Sequence, residues 1–210
     1  MSFASREEAG QRLGRHLLKE GIKADVILGL PRGGVIVAAE VARALQRPLD
    51  VIVVRKIGHP RHREYAVGAL AENDVVLLSD RVNANETLRA EVSEVVREEK
   101  LRLEQYKRRF HVRKSNLCDK AVLIIDDGLA TGTTMEAAVL SARREGAKKI
   151  MVAVPVGSTS AIEKLEHIAD SVVALIPDPG FEAVGAYYEF FPQTGDDEVV
   201  CLLEAEHASQ

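Results

Sequence analysis

The sequence predicts an α/β fold with a doubly wound, mainly parallel sheet. Short, largely apolar runs lie at residues 26–30, 50–54, 122–125, 150–154 and 172–176. Such runs are typical of strands that are buried on both faces of a sheet. Helical patterns separate most of them, and this alternation indicates the crossover connections of a parallel sheet.

Composition limits the partners and the compartment that we expect. The chain has 210 residues and a net charge of −4, so we expect one domain and no nucleic-acid partner. No apolar run approaches membrane-spanning length, and residues 1–8 contain no apolar core of a signal peptide. Cys118 and Cys201 are far apart and lack metal-ligand spacing. We therefore expect a cytoplasmic protein with reduced, structural cysteines and no membrane partner.

Two helices are marked clearly in the sequence. Ser5 and Glu8 form a capping box, which predicts a helix over residues 6–19. Residues 85–109 predict a long, highly charged helix with a narrow apolar stripe. This helix either packs across the domain with a solvated outer face or also contributes to a homodimer contact, and the pattern leaves both open.

Two turns follow predicted strands and carry cations. Arg32, Gly33 and Gly34 come directly after the first strand, where two glycines let the backbone approach an anion closely. Arg55 and Lys56 end the run at 50–54, where a sheet of this type places its ligands. Each segment is also compatible with an ordinary exposed turn. We expect a polar loop over residues 57–65, followed by an edge hairpin with strands at 66–71 and 75–78.

Residues 122–134 combine a buried strand, two carboxylates, a turn of small residues and a helix start. Asp126 and Asp127 end the strand, and either can accept hydrogen bonds from sugar hydroxyls or hold a hydrated Mg²⁺. Small and hydroxyl-bearing residues then lead into a helix N-terminus, which favours an anion. Each piece alone is also compatible with an ordinary turn or helix cap, but their order favours a phosphate site. We expect this motif near the topological switch point of the sheet.

This motif resembles the signature of type I phosphoribosyltransferases, which bind phosphoribosyl pyrophosphate (PRPP). The resemblance extends over nearly the whole chain. The whole chain is most similar to a group of small predicted phosphoribosyltransferases with no assigned acceptor. It implies that Asp126 and Asp127 hold the ribose and that the following turn holds the 5′-phosphate; the turn residues are Ala130, Thr131, Gly132, Thr133 and Thr134.

The resemblance also implies roles for the other segments. Arg32, Gly33 and Gly34 match a pyrophosphate loop that commonly contains a non-proline cis peptide. Arg55 and Lys56 resemble the pair that precedes a mobile loop in adenine phosphoribosyltransferases. A single domain is implied, with a core over about residues 22–176 and a hood from about residues 177–210 plus part of the N-terminal helix.

Three positions bear on the identity of the acceptor base. The aspartate that deprotonates the base in 6-oxopurine enzymes is replaced by Ala130, as in adenine and xanthine enzymes. Glu64, next to Tyr65, resembles the loop glutamate of adenine enzymes and is a candidate general acid–base, although a plain surface glutamate fits equally. Phe181 is the candidate for stacking on the base.

The reaction implied is Mg²⁺-dependent transfer of the 5-phosphoribosyl group to a nitrogenous base, with a purine-like acceptor favoured and pyrophosphate released. Two alternatives remain open. In the first alternative, the chain is a regulatory protein that senses PRPP or nucleotides. In the second, it hydrolyses PRPP or nucleotide 5′-phosphates with water as acceptor. We also expect a homodimer.

Overall fold

The structure is a computed structural model that describes residues 2–111 and 114–208. Its main sheet is the parallel sheet that the sequence predicts. Its strands are β1 (Val26–Gly29), β2 (Leu49–Val51), β6 (Ala121–Ile125), β7 (Lys149–Ser158) and β8 (Ser171–Asp178). All neighbours are parallel, in the order β2-β1-β6-β7-β8. The order reverses between β1 and β6, so the switch point lies beside the acidic pair that follows β6, as predicted.

Helices cover both faces of this sheet; they are α1 (Arg6–Lys19), α2 (Gly33–Leu45), α3 (Asp80–Asn83), α4 (Glu86–Phe110), α5 (Thr133–Arg144), α6 (Thr159–Glu166) and α7 (Asp196–Ala208). Alternate strand residues separate the two cores. Ile27 and Leu123 face the layer of α1, α2, α4 and α7, whereas Leu28 and Ile124 face α5 and α6. Burial on both faces is why the strands read as continuous apolar runs.

A second, antiparallel sheet was not predicted as a separate unit. Its strands are β3 (Val54–His59), β4 (His62–Ala71) and β5 (Val75–Leu78), in the order β3-β4-β5. One face contributes Ile57 and Leu70 to the core beside α4, and the other packs Ala69 against Ala137 of α5. The predicted hairpin at 66–78 therefore forms, but in this sheet and not at an edge of the main one.

Two expectations for this region were wrong. The run at 50–54 is not one strand: β2 ends at Val51, and β3 begins at Val54 in the other sheet. The buried Glu72 fixes the backbone where the chain passes from the main sheet to the second sheet, because its Oε1 accepts a hydrogen bond from Val53 N at 2.8 Å. The loop at 57–65 is largely two paired strand ends around the turn at Pro60 and Arg61.

The hood is smaller than predicted. Phe3 N donates to Tyr187 O at 2.7 Å, and Glu189 N donates to Phe3 O at 2.8 Å. The hood is therefore formed by the N-terminal segment together with the segment around residues 187–189. The final helix, α7, does not belong to it. Val199 and Leu203 are buried in the main core, and α7 contacts α2, α4 and β2.

Other expectations were partly met. Cys118 and Cys201, expected to be reduced structural residues, are free in the structure and exposed, so they do not pack in a core. The segment at 111–114 is basic in sequence, which suggests a turn, but it lies partly outside the described ranges. No helix within residues 2–111 and 114–208 is long and apolar enough to cross a membrane.

Candidate phosphoribosyl site

The acidic pair lies at the carboxyl end of β6, directly against the Gly-rich turn that follows β1. A Cβ on Gly34 would lie 2.8 Å from Asp126 Cα, and one on Gly33 would lie 2.1 Å from Asp127 Oδ2. Only glycine fits at such distances from backbone and carboxylate. The peptide bond between Pro31 and Arg32 is cis, as the resemblance implied.

Asp126 lies directly beside Asp127 at the end of β6, and both are half-buried. Burial and the neighbouring charge of Asp127 raise the pKa of Asp126 well above its usual value, while the Lys56 charge opposes the rise. Asp127 N donates to Asp126 Oδ1 at 2.9 Å, which fixes the carboxylate orientation. A ligand that brings hydroxyl donors or a cation therefore stabilises the charged form of Asp126.

Asp127 already has a cationic partner, which the sequence did not indicate. Arg6, only 7% exposed, donates from Nε to Asp127 Oδ2 at 2.8 Å. The same guanidinium donates to Pro192 O at 2.7 Å and stacks on Phe191 at 3.7 Å from the ring centroid. Arg6 is 121 positions away from Asp127, so its capping-box position alone gave no signal of this role.

The segment from Gly128 to Thr134 leads from β6 into α5 and includes the first two residues of that helix. Its backbone also pairs with β7. Ser158 Oγ donates to Ala130 O at 2.7 Å, which anchors the turn. Gly132 has a φ of 75° and precedes α5, whose first turn has no side-chain cap hydrogen bond. Thr131 is exposed and Thr133 is half-buried, with 3.4 Å between their hydroxyl oxygens. Uncapped N–H groups and hydroxyls at a helix N-terminus are suited to a phosphate.

A cavity of about 680 Å³, here called the central cavity, joins several predicted segments. Its lining includes the predicted cation pair, the candidate acid–base group and one residue from each anion turn; these are Arg55, Lys56, Glu64, Arg32 and Thr134. The second sheet therefore carries Arg55, Lys56 and Glu64 to the switch point, although none of them ends a strand of the main sheet.

Arg55 is held in place by the long helix α4. Its Nε donates to Glu99 Oε2 at 2.9 Å, and Glu99 is only 5% exposed. The Arg55 guanidinium also lies 5.0 Å from the centre of the Tyr106 ring. A buried carboxylate and an aromatic face together fix the guanidinium at the cavity wall.

Phe181 lies in the hood and stacks on Tyr187, with ring centroids 5.5 Å apart and planes at 17°. It belongs to a small cluster with Phe3, Val156 and Tyr188. Val184 of this hood packs on Gly128, next to the acidic pair. The hood thus lies close to the acidic pair, and Phe181 is already paired with another aromatic ring.

The residues fit a magnesium ion that arrives with its ligand. Within the described ranges, no three Asp, Glu, His or Cys side chains converge as a complete metal site. Mg²⁺ commonly uses one or two carboxylates together with substrate oxygens, and the pair at 126–127 matches that pattern. Asp126 has the freer carboxylate, because Oδ2 of Asp127 is bound by Arg6.

Comparison with known families agrees with this geometry. The family model for a phosphoribosyl transferase domain matches residues 5–189. This chain belongs to that family. The resemblance of residues 122–134 to the phosphoribosyltransferase motif is thereby confirmed, and so is the fold class.

Relatives extend the comparison. A Mycobacterium tuberculosis protein named as a phosphoribosyl transferase is 43% identical over 208 residues, which is 98% of this chain and 47% of the relative. The chain thus spans about half the length of the curated relatives that it matches. An amidophosphoribosyltransferase of Haemophilus influenzae is 26% identical over 72% of this chain and 25% of its own length.

Two solved structures share the fold. A crystal structure of a Thermus thermophilus protein has 42% identity and a TM-score of 0.77, covering 97% of this chain and 98% of the other. A purine phosphoribosyltransferase from Pyrococcus horikoshii has 20% identity and a TM-score of 0.50, covering 90% and 92%.

Proposed function

We propose that this chain transfers the 5-phosphoribosyl group of PRPP to a purine-like heterocyclic base and releases pyrophosphate. The observation that carries the proposal is the central cavity, in which Arg32, Arg55 and Lys56 gather beside Thr134 of the phosphate turn. A diphosphate leaving group needs such a set of cations, whereas binding the ribose phosphate alone does not.

The proposed reaction is attack of a ring nitrogen on C1 of the ribose as the C1–O bond to pyrophosphate breaks. No covalent nucleophile is needed in this scheme. Asp126 and Asp127 orient the ribose through its hydroxyls, and the turn at 130–134 holds the 5′-phosphate. Orientation of both reactants and electrostatic stabilisation of the leaving diphosphate supply the rate acceleration. When bound, Mg²⁺ would add charge neutralisation of the diphosphate, with Asp126 and Asp127 as its protein ligands.

Glu64 is the proposed acid–base group for the acceptor. It lines the central cavity and also a neighbouring cavity of about 510 Å³ that includes Arg55, Lys56 and Arg63. A carboxylate at this wall is able to accept a proton from a ring nitrogen of a base in the cavity. Phe181 is the proposed stacking partner for the base, which requires it to exchange its contact with Tyr187 for the ligand.

The decisive experiment is pyrophosphate release from PRPP and Mg²⁺ with a panel of bases. Release that depends on one base supports the transferase. Tight PRPP binding with no turnover of any base would instead favour the sensor. Pyrophosphate or phosphate release without added base would favour the hydrolase.

The ribose assignment has its own test. We expect the double variant Asp126→Asn with Asp127→Asn to lose PRPP binding by calorimetry while keeping its circular dichroism spectrum. These two carboxylates are the only acidic acceptors proposed for the ribose hydroxyls, so persistent PRPP binding contradicts the assignment. The homodimer stays a prediction from the sequence, and light scattering measures it directly.

A further inference from the structure

The long helix α4 presents one polar face to the ligand side of the molecule. A side cavity of about 350 Å³ is lined by Arg55, by Asp196, and by four α4 residues: Arg102, Gln105, Tyr106 and Arg109. Their spacing places these four residues on one face of the helix. Arg55 and Tyr106 also line the central cavity, so the side cavity continues from it.

The first source of positive charge in the side cavity is the pair of arginines on Glu99. Arg55 Nε donates to Glu99 Oε2 at 2.9 Å, and Arg102 donates to Glu99 Oε1 at 2.6 Å. One buried carboxylate thus neutralises two guanidinium groups only in part. The Arg102 side chain is 55% exposed, which leaves further N–H donors free to meet a ligand.

The second source is a similar arrangement on Asp196, the first residue of α7. Its carboxylate lies 3.2 Å from Arg109 and 3.5 Å from Arg32 of the pyrophosphate loop. Arg109 also contacts Asp197, but that carboxylate is 95% exposed and contributes little charge neutralisation. The side cavity therefore has a surplus of guanidinium groups over enclosed carboxylates.

A diphosphate does not account for this surplus. Arg32, Arg55 and Lys56 already face the central cavity beside the phosphate turn. Arg102 and Arg109 line the side cavity, which shares Arg55 and Tyr106 with the central cavity. A linear anion that fills the diphosphate position and continues past Arg55 meets both guanidinium groups.

We propose that the side cavity is an anion subsite for the third phosphate of a linear triphosphate, either inorganic triphosphate or the triphosphate of a nucleotide. Its first two phosphates take the pyrophosphate position, so this inference rests on the proposed function. Such a ligand competes with PRPP for the cations of the central cavity. The cleft face of α4 thereby acquires a binding role in addition to its packing role.

The test compares pyrophosphate, inorganic triphosphate and ATP by calorimetry at low salt. Two half-exposed arginine contacts are each worth a modest amount, so we expect the wild-type protein to bind triphosphate about tenfold more tightly than pyrophosphate. Arg102→Gln with Arg109→Gln should abolish that preference and leave pyrophosphate affinity within about twofold. Unchanged pyrophosphate affinity also shows that the variant is folded.

A matched control separates local contacts from overall charge. Arg97→Gln with Arg108→Gln removes the same charge from exposed positions of α4 outside the side cavity, and its triphosphate preference should equal that of the wild type. If ATP shows the same arginine-dependent preference, the subsite accepts nucleotides; if only inorganic triphosphate does, it accepts the free anion.

Equal wild-type affinities for triphosphate and pyrophosphate overturn the inference and leave the proposed function standing. A preference that survives in the variant of Arg102 and Arg109 overturns it as well. A wild-type protein that fails to bind pyrophosphate removes both the proposed function and this subsite.

Discussion

At the scale of single residues, Arg6 affects the electrostatics of the acidic pair directly, because it binds Asp127. Its guanidinium joins Asp127, Pro192 and Phe191, so the acidic pair is coupled to the hood. Asp127 is largely enclosed, with 15% of its side chain exposed, so removal of Arg6 would leave this carboxylate without its cationic partner.

We expect Arg6→Gln to weaken PRPP binding about tenfold and to lower the free energy of unfolding by roughly 2 kcal/mol, since it leaves a buried carboxylate without a cation. Calorimetry and urea denaturation measure the two effects. Arg15→Gln, an exposed position of the same helix, is the matched control and should change neither. Wild-type PRPP affinity in Arg6→Gln would show that Asp127 needs no partner to bind ribose.

The role proposed for Glu64, proton transfer, also depends on a single side chain. We expect Glu64→Gln to reduce kcat with the accepted base by about a hundredfold while PRPP affinity changes less than threefold. Steady-state kinetics against calorimetry separates the two quantities. Glu91→Gln, an exposed glutamate that pairs with Arg61, should leave kcat unchanged. An equal loss in both variants assigns the effect to surface charge and not to catalysis.

At the scale of elements, the site depends on how closely two loops approach each other. The turn after β1 packs on the end of β6 at Gly34, where a Cβ would lie 2.8 Å from Asp126 Cα and 3.0 Å from Ile125 O. Both of these are backbone atoms, so neither moves without displacing the strand end.

Gly34→Ala should therefore separate the pyrophosphate loop from the acidic pair. We expect at least a tenfold loss of PRPP affinity and a destabilisation of roughly 1–3 kcal/mol, as for overpacking in a core. Gly195→Ala is the control, because a Cβ there meets nothing within 4 Å. Thermal melts and calorimetry on both variants test the close approach, and unchanged PRPP affinity in Gly34→Ala contradicts it.

Elements were predicted well where the signal is local. The capping box located α1, and the buried runs located β1, β6, β7 and β8. The break between β2 and β3 was missed because residues 50–56 have no turn residue to mark it. The buried Glu72, which fixes Val53 there, lies 19 positions away in sequence. The cations at 55–56 line the central cavity, but a second sheet carries them there and not the main-sheet strand that the sequence predicted.

At the scale of the whole molecule, a buried ionic junction joins the two sheets to the end of α4. His111 Nε2 lies 2.8 Å from Glu72 Oε1, and Nδ1 lies 3.4 Å from Asp50 Oδ1. Lys114, at 3.5 Å from Glu72, and Glu145, at 3.2 Å from Lys114, complete the charged groups. Burial opposes the charged imidazole, but Asp50 and Glu72 outweigh it and raise the pKa of His111 to about 9.

The pH dependence of stability follows from this junction. Because the folded pKa exceeds the ordinary 6.5, the stabilisation is complete below pH 6.5 and is lost as pH rises through about 9. Burial would raise the pKa of Glu72, but the hydrogen bond and charge of His111 lower it, so that contribution is lost only as the solution becomes acidic.

We expect the wild-type free energy of unfolding to fall by roughly 3 kcal/mol between pH 6.5 and 9.5. His111→Gln should be less stable at pH 6.5 and lack this decline. His167→Gln, at an exposed position, should keep the wild-type curve. Urea denaturation across this pH range measures all three proteins, and a flat wild-type curve would show that the junction does not carry the charge.

Features that depend on neighbouring residues were predictable before the fold was known. These are the apolar strands of the parallel α/β sheet, the acidic pair after a buried strand, and the turns of small residues that follow β1 and β6. Each strand or turn is encoded in consecutive positions, where strand, turn and helix preferences act directly.

Only the tertiary structure decided which distant residues meet at the site. Arg6 pairs with Asp127 across 121 positions, Arg55 with Glu99 across 44, and Arg32 with Asp196 across 164. The physical reason is that side-chain partners depend on packing of elements far apart in sequence, whereas no local preference distinguishes a buried charge from a solvated one. The acidic pair was visible in the chain, but its cationic partner and the arginine-lined continuation of the cleft became visible only in the folded protein.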